Sequence, residues 1–238
     1  GTPWAATQLA RQVPLAWEQQ LAERALAQLD GGTLKPSKLP PERQAALRAG
    51  FDRLAARVQA GGDAALQRYP GYRPPLTLQF RAGMGPNAFA LPGGAIVMTD
   101  AMVEQARARP GTGDDALLGV LAHEIGHVQL RHGTRMVVEQ GVLQVGLGLA
   151  LGDVSSLVSG GASLLTGLAY SRRHETEADC YAVALLRGAG LPTAPMADLL
   201  LGIEGAALRQ AGGADWFSTH PDTARRAERL KAGAPMGC

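Results

Sequence analysis

The stretch LLGVLAHEIGHVQLR, residues 117–131, constrains the fold more than any other part of the chain. It contains the pattern H-E-x-x-H in His123, Glu124 and His127, among apolar residues that recur at intervals of three and four. This spacing predicts an amphipathic helix. Residues four apart lie on one helix face, so the imidazoles of His123 and His127 can reach a single metal ion. Glu124 is then placed to act as a general base on a water molecule beside that ion.

The same pattern also has a simpler interpretation, in which His123 and His127 are surface residues of an ordinary amphipathic helix. Three features favour the metal site instead. The rest of the stretch is strongly apolar, Gly126 is expected to leave open space beside the ligands, and a matching acidic motif follows later in the chain. The chain has only five histidines, and two of them fall here.

The acidic motif is YSRRHETEADCYAVA, residues 170–184, on a second predicted helix. A catalytic zinc ion takes three protein ligands, so one more donor is needed. Glu175 and Asp179 are four apart, so one carboxylate can bind the metal while the other accepts the N–H of a ligating histidine and fixes its tautomer. Glu177 is the alternative ligand, about 200° around the helix from Glu175. His174 is expected at the surface.

The two motifs together resemble the gluzincin metallopeptidases that include the CAAX prenyl proteases, the HtpX heat-shock proteases and the soluble periplasmic BepA and LoiP proteases. The likeness is carried by HEIGH and by the Ser-Arg-x-x-Glu-x-Glu-Ala-Asp segment, and is strongest to the periplasmic members. It implies one Zn²⁺ per chain, with Glu175 as the third ligand beside His123 and His127. It also implies that Asp179 supports a ligand without binding the metal.

A third motif, Thr219-His220-Pro221, lies near the end of the chain. On the residues alone it is a turn that caps the last helix. The resemblance implies instead that His220 lies near the metal, where it stabilises the oxyanion of the transition state or acts as a fourth ligand in a latent enzyme. Arg226 matches the arginine that follows this motif in the family and is expected to anchor the turn by hydrogen bonds.

Extended segments precede the active-site helix. Residues 76–81 alternate apolar and polar side chains and predict a strand. Two short extended runs are joined by Pro-Gly-Gly, the first beginning at Asn87 and the second at residues 95–99. They predict a hairpin that covers the core. The first run also resembles an edge strand that lies beside the zinc cleft in the family and pairs with extended substrate backbone. The candidate substrate-binding residues are Asn87, Ala88, Phe89 and Ala90.

Length and composition favour a single domain with one substantial core, since the chain has 238 residues, 46% of them hydrophobic, and a formal net charge of only +2. This balance gives no indication of a nucleic-acid partner. We expect an α+β fold, mainly α, in which a zincin-like core has a small β-sheet or hairpin packed on the active-site helix and surrounding helices. N-terminal helices within residues 1–70 would pack on a catalytic core at residues 71–238. Further helices are predicted at residues 13–29, 40–60, 100–108, 196–208 and 222–231, with a turn at 110–115.

Residues 137–169 are apolar and rich in glycine, which raises the question of a membrane span. A span needs about 20 continuous apolar residues, and Asp153, serines and glycines interrupt this segment. A buried or lid-forming helical hairpin over the cleft is favoured, and contact with a membrane surface stays open. Cys180, expected to be buried, and Cys238 could form a disulfide, although the spacing does not require one. Neither cysteine is expected to bind metal.

The predicted function is that of a zinc endopeptidase that acts on polypeptides, in particular unfolded or misfolded envelope proteins. The chain does not begin with Met, so we expect a processed protein whose signal peptide or anchor lay upstream. The resemblance implies a bacterial periplasmic location, or attachment to a membrane facing the periplasm, with membrane-surface or outer-membrane assembly partners. The alternatives are a small-peptide hydrolase or aminopeptidase, and a latent zinc-bound, chaperone-like binding protein.

Overall fold

The computed structural model describes residues 2–109, 113–167, 169–209, 216–233 and 238. These residues form twelve α-helices, four strands and one short 3-10 turn. The helices are α1 (Thr2–Gln12), α2 (Leu15–Asp30), α3 (Pro41–Ala60), α4 (Asp100–Arg107), α5 (Gly113–Gln129), α6 (His132–Gln140), α7 (Val142–Leu151), α8 (Ser155–Leu165), α9 (Arg172–Gly188), α10 (Ala194–Arg209), α11 (Trp216–Thr219) and α12 (Thr223–Ala232). The strands are β1 (Lys35–Pro36), β2 (Thr77–Ala82), β3 (Ala88–Ala90) and β4 (Ala95–Thr99). The predicted α+β class, mainly α with a small sheet, is confirmed.

The sheet has the strand order β1-β2-β4-β3, so β3 is an edge strand. Strands β3 and β4 pair antiparallel, with Phe89 opposite Val97, and form the predicted hairpin. Gly94 in its connection has a φ of 114°, and a Cβ there would collide with the carbonyl oxygen of Pro75. Glycine is therefore required where the hairpin passes the start of β2. The parallel pairing of β2 with β4 was not predicted, because local alternation does not specify distant partners.

Helix α5 is the centre of the main core, with every residue from Ala116 to Gln129 buried. It packs against α9, α10, α3, α4 and β3. The expectation of open space at Gly126 was wrong, because a Cβ there would lie 3.0 Å from the Cβ of Tyr181 and 3.1 Å from the carbonyl oxygen of Ala178. The glycine instead allows α9 to approach α5 closely, which brings the two candidate ligand helices together.

The end of α5 differs from the prediction, which continued the helix to Arg131. The helix ends at Gln129, and Arg131 adopts a left-handed conformation with φ 55°. A new helix, α6, begins at His132. A non-glycine residue is uncommon in this region of φ and ψ. Arg131 is held there by bonds to Glu18 and to the carbonyl oxygen of Val13, so the bend is fixed by α2.

A second, smaller apolar cluster joins the N-terminal helices α1 and α2 to α6, α7 and α8. Residues 137–169 contain the end of α6 and the hairpin of α7 and α8, in which α8 packs on α2. Leu168 in this segment lies outside the described residues. Within the described ranges, no helix combines the length and the apolar character that crossing a membrane requires.

The remaining helix predictions agree with α2, α3, α4, α10 and α12 to within about two residues. Helix α4 is capped by Thr99, whose hydroxyl accepts a hydrogen bond from the backbone N–H of Met102. Part of the turn predicted at residues 110–115 lies outside the described residues, and the rest is the first turn of α5.

Cys180 is half-buried rather than buried, and it forms a disulfide with Cys238. The cross-link ties the last residue to α9.

Candidate metal centre

Three donor groups from α5 and α9 meet in the interior. Nε2 of His127 lies 3.0 Å from Nε2 of His123 and 3.2 Å from Oε1 of Glu175. The second carboxylate oxygen of Glu175 lies 3.6 Å from Nε2 of His123. All three side chains are buried. The structure therefore brings together the residues that the two helical motifs predicted as ligands.

A fourth donor comes from His220, in the turn between α11 and α12. Donor atoms of His123, His127, Glu175 and His220 all lie within 4.8 Å of one another. This set of three imidazoles and one carboxylate has the nitrogen and oxygen donors that zinc prefers. The group is able to hold a metal ion.

Unpaired polar atoms support this assignment. Both carboxylate oxygens of Glu175 and Nε2 of His220 are buried and make no hydrogen bond within the described residues, and of these atoms only Oε2 of Glu175 has a charged partner, Arg226. Buried polar atoms are normally hydrogen-bonded, because leaving them unpaired costs about 1–3 kcal/mol each. A cation between these atoms would satisfy them, so the residues present fit a metal ion.

Glu124 lies beside this group, with Oε1 3.3 Å from Nε2 of His220. It is fully buried, and among the described residues no side chain donates a hydrogen bond to its carboxylate oxygens, although the backbone N–H of Ala90 lies close enough to act on its pKa. Burial raises the pKa of Glu124 to about 8, although His123 and Arg226 act in the opposite direction. A carboxyl group with a raised pKa and free oxygens is suited to take up and release a proton.

Asp179 and Arg226 support His123 and Glu175 from outside the donor group. Oδ1 of Asp179 accepts a hydrogen bond from Nδ1 of His123 at 2.9 Å, and Arg226 donates to both Asp179 oxygens at 2.7 and 2.9 Å. Burial alone would raise the pKa of Asp179, but Arg226 and His123 lower it to about 2. Arg226 also forms an ion pair with Glu175, without the geometry of a hydrogen bond. Burial outweighs this contact and raises the pKa of Glu175 to about 7.

The turn around His220 is built by its neighbours. The indole of Trp216 stacks on the imidazole at 3.7 Å, and Nδ1 of His220 donates to the carbonyl oxygen of Trp216 at 3.1 Å. This bond leaves Nε2 facing the donor group. Arg226 donates to the carbonyl oxygen of Pro221 at 3.2 Å, and the Thr223 hydroxyl donates to that of His220. Burial lowers the pKa of His220 to about 3.

The predicted substrate-binding residues lie on or next to the edge strand β3. Asn87, Phe89 and Ala90 line an apolar cleft that also contains Met136, Leu165 and Tyr170. Ala88 is fully buried in the main core and does not line the cleft. The side chain of Asn87 is engaged locally, where Oδ1 accepts from the backbone N–H of Ala88. The cleft is thus bounded by β3 on one side and by the end of α8 on another.

Sequence reasoning missed two residues beside the donor group. The Tyr170 ring stacks on His127 at 3.7 Å, and Nδ1 of His132 lies 2.8 Å from Nδ1 of His127. The spacing of His132, five residues after His127, was the only signal for it in the sequence. The expectation that His174 is exposed was also wrong, because it is only 4% exposed and stacks on His132 at 4.4 Å.

Glu177, the rival ligand, faces away from the metal group. It lies 3.0 Å from Nε2 of His132 and accepts a hydrogen bond from Arg135. Burial alone would raise the pKa of Glu177, but His132 and Arg135 hold it well below its usual range. Burial lowers the pKa of His132 to about 3.

The site combines a buried H-E-x-x-H helix, which carries two histidines and Glu124, with Glu175 from a second helix. This combination defines a metallopeptidase of the H-E-x-x-H class. Residues 41–234 match Peptidase family M48. The chain belongs to this family, which confirms the family and the class of enzyme predicted from the sequence.

Known relatives agree with this assignment. Metalloprotease LoiP of Escherichia coli (strain K12) is 29% identical over 152 residues, which cover 61% of this chain and 57% of LoiP. Mitochondrial metalloendopeptidase OMA1 of Schizosaccharomyces pombe is 29% identical over 155 residues, covering 63% of this chain and 44% of OMA1. The Arabidopsis thaliana protein of the same name is 31% identical over 150 residues, covering 60% of this chain and 28% of its own length. The matched region thus spans less than two thirds of each relative.

Proposed function

We propose that the protein is a zinc-dependent endopeptidase in which His123, His127 and Glu175 hold one Zn²⁺ per chain. The observation that carries this proposal is the convergence of these buried donors beside the unpaired carboxyl group of Glu124. When bound, zinc would act as a Lewis acid that lowers the pKa of a water molecule and polarises a peptide carbonyl.

Glu124 is proposed as the general base. It takes a proton from the attacking water and later gives that proton to the leaving amine. Among the described residues no side chain donates a hydrogen bond to either oxygen, which leaves the carboxyl group available for this exchange. His220, whose Nε2 faces the same space, is the proposed stabiliser of the oxyanion that forms on the substrate. Because its Nδ1 proton is donated to the carbonyl oxygen of Trp216, Nε2 takes up a second proton before it donates, and the negative charge of the oxyanion favours that uptake.

The proposed substrates are extended polypeptides. Strand β3 pairs with β4 on one side and is an edge strand of the sheet formed by the described residues. An edge strand binds a peptide through its backbone, so recognition tolerates many sequences. This property suits unfolded or misfolded proteins. The likeness of the motifs to the periplasmic members supports the bacterial envelope as the place of action, with membrane-surface or assembly partners there.

A second candidate is a latent zinc protein in which His220 is a fourth ligand. Its support is the position of Nε2 of His220 within the donor group and the complete burial of that histidine. A closed set of four ligands is typical of structural zinc sites. In this state the protein would bind polypeptides without cleaving them until the turn that carries His220 moves.

The test is cleavage of unfolded casein by the wild type and by Glu124→Gln, each with measured zinc content. Internal cleavage by the wild type alone, with equal zinc in both, supports the endopeptidase. Release of terminal residues only would favour an aminopeptidase. If neither protein cuts although both hold zinc, the endopeptidase proposal is overturned for the protein as it stands. Cleavage by His220→Ala would then identify a latent enzyme, and no cleavage by that variant would leave only the polypeptide-binding role.

A further inference from the structure

The two histidines of the H-E-x-x-H motif are supported in different ways. Nδ1 of His123 is hydrogen-bonded to Asp179, a carboxylate that Arg226 holds in place. Nδ1 of His127 has no carboxylate partner in the part of the chain that the structure describes, and its neighbour at 2.8 Å is Nδ1 of His132. Ligating histidines normally use the second ring nitrogen to bond a group that fixes the ring. For His127 that group is another histidine.

The direction of this bond follows from the chemistry of the two rings. Nε2 of His127 points into the donor group, so its Nδ1 carries the proton. Nδ1 of His132 must then accept, which places the proton of His132 on Nε2. That nitrogen lies 3.0 Å from Oε2 of Glu177. The hydrogen bonds therefore run in one direction, from His127 through His132 to a carboxylate.

Glu177, at the far end of this series of hydrogen bonds, is held in place by two arginines. Arg135 lies 3.0 Å from Oε2 of Glu177, and the exposed Arg173 lies 3.0 Å from Oε1. His132 is fully buried, and its ring stacks on His174. The arrangement parallels that around His123, where a carboxylate and an arginine also end the series.

We infer that His132 and Glu177 are positioning residues for the metal ligand His127, forming a hydrogen-bonded series equivalent to the one that Asp179 and Arg226 provide for His123. The inference rests on the proposed function, because it requires His127 to bind zinc. Its consequence is that His132, which lies outside the three family motifs, and Glu177, a residue of the second motif that does not bind the metal, control the affinity of the site for zinc.

The test is zinc affinity, measured by competition with a chromogenic chelator, for His132→Phe and His132→Asn. Phenylalanine keeps the ring volume but accepts no hydrogen bond, so we expect binding about 10- to 100-fold weaker. Asparagine loses volume but retains an acceptor near the position of Nδ1, so its affinity should lie between those of His132→Phe and the wild type. If His132 only filled space, His132→Asn, which loses volume, would bind zinc more weakly than His132→Phe.

His174→Phe is the matched control. It also replaces a buried histidine that stacks on His132, but Nδ1 of His174 has no hydrogen-bond partner among the described residues. Its zinc affinity should stay within about threefold of the wild type, well below the effect expected for a bonded partner. Far-ultraviolet circular dichroism of each zinc-loaded variant checks that it is folded.

Glu177→Gln tests the far end of the series and keeps the inference testable if His132→Phe does not fold. Alone it should weaken zinc binding several-fold. Combined with His132→Phe it should add no further loss, because the connection to His127 is already broken.

The outcomes are distinct. Unchanged affinity in His132→Phe, weaker binding by His132→Asn than by His132→Phe, or unchanged affinity in Glu177→Gln overturns the inference and leaves the proposed function intact. A folded wild-type protein that does not bind zinc overturns both.

Discussion

Oδ1 of Asp179 accepts a hydrogen bond from Nδ1 of His123 at 2.9 Å, so a carboxylate on α9 fixes the orientation of a histidine on α5. Both side chains are fully buried. The bond determines which nitrogen of His123 carries the proton, and the other nitrogen faces the donor group. Asp179 is therefore placed to act on the candidate metal site through His123.

Asp179→Asn should weaken zinc binding by about 10- to 100-fold, which is typical for loss of a carboxylate that supports a ligating histidine. The amide still accepts a hydrogen bond but lacks the charge that raises the basicity of the ligand. Chelator competition measures the change. Asp198→Asn is the control, since Asp198 pairs with Lys231 at the surface and should leave affinity unchanged. Equal affinities for the two variants would contradict this role of Asp179.

Arg226→Met should lower the free energy of unfolding by about 3–5 kcal/mol, the usual cost of removing one partner of a buried ion pair. Asp179 would lose its charge partner, and the carbonyl oxygen of Pro221 would lose a donor. Urea unfolding of the zinc-loaded protein measures the effect. Lys231→Met removes a pair that is mostly exposed and should cost less than about 1 kcal/mol. A comparable loss of stability in both variants would show that the buried ion pair stabilises the protein no more than the exposed pair does.

The sequence predicted those parts of the site that depend on local periodicity. The i, i+4 spacing of His123 and His127 places both on one face of any α-helix, and the same argument separates Glu175 from Glu177. The ends of α2, α3, α4, α10 and α12 were also predicted to within about two residues.

The features that were missed depend on tertiary contacts. The left-handed Arg131 ends α5 early because Glu18, on a distant helix, holds its guanidinium. That bend turns His132 back towards His127, which no periodic pattern predicts. His174 is buried because α9 packs with its first turn against α6 and Tyr170. Gly126 was misinterpreted for the same reason, since an approaching helix occupies the space beside it.

Glu18→Gln should lower the free energy of unfolding by about 3–5 kcal/mol, because it leaves a buried arginine without its counter-charge. Glu18 is 1% exposed and contacts Arg131, the Tyr72 hydroxyl and the Thr134 hydroxyl. Denaturant unfolding measures the loss. Glu23→Gln, an exposed position on the same helix, should change stability by less than about 0.5 kcal/mol. Similar stabilities of the two variants would contradict a linking role for Glu18 between α2 and the bend at Arg131.

Alkaline pH should destabilise the protein through its buried tyrosines. Burial raises the pKa of Tyr72 and of Tyr181 well above the ordinary value of 10.0, with Glu18 acting in the same direction on Tyr72 and Asp63 on Tyr181. Because the folded-state pKa values lie above the unfolded ones, this contribution to stability is fully present below pH 10 and is lost as the pH rises further. Each such group accounts for about 1.4 kcal/mol per pH unit above that point.

The measurement is the free energy of unfolding at several alkaline pH values, recorded together with the near-ultraviolet absorbance of tyrosinate. Tyr181→Phe should make the free energy of unfolding fall less steeply with pH, by the contribution of one tyrosine. The substitution removes a hydroxyl that donates to the carbonyl oxygen of Leu66 and does not ionise while it is buried. In the wild type, tyrosinate absorbance from these residues should rise together with the loss of helical circular dichroism. If the absorbance rose fully while the helices remained intact, the two hydroxyls would be ionising in the folded protein and the predicted link to stability would be wrong.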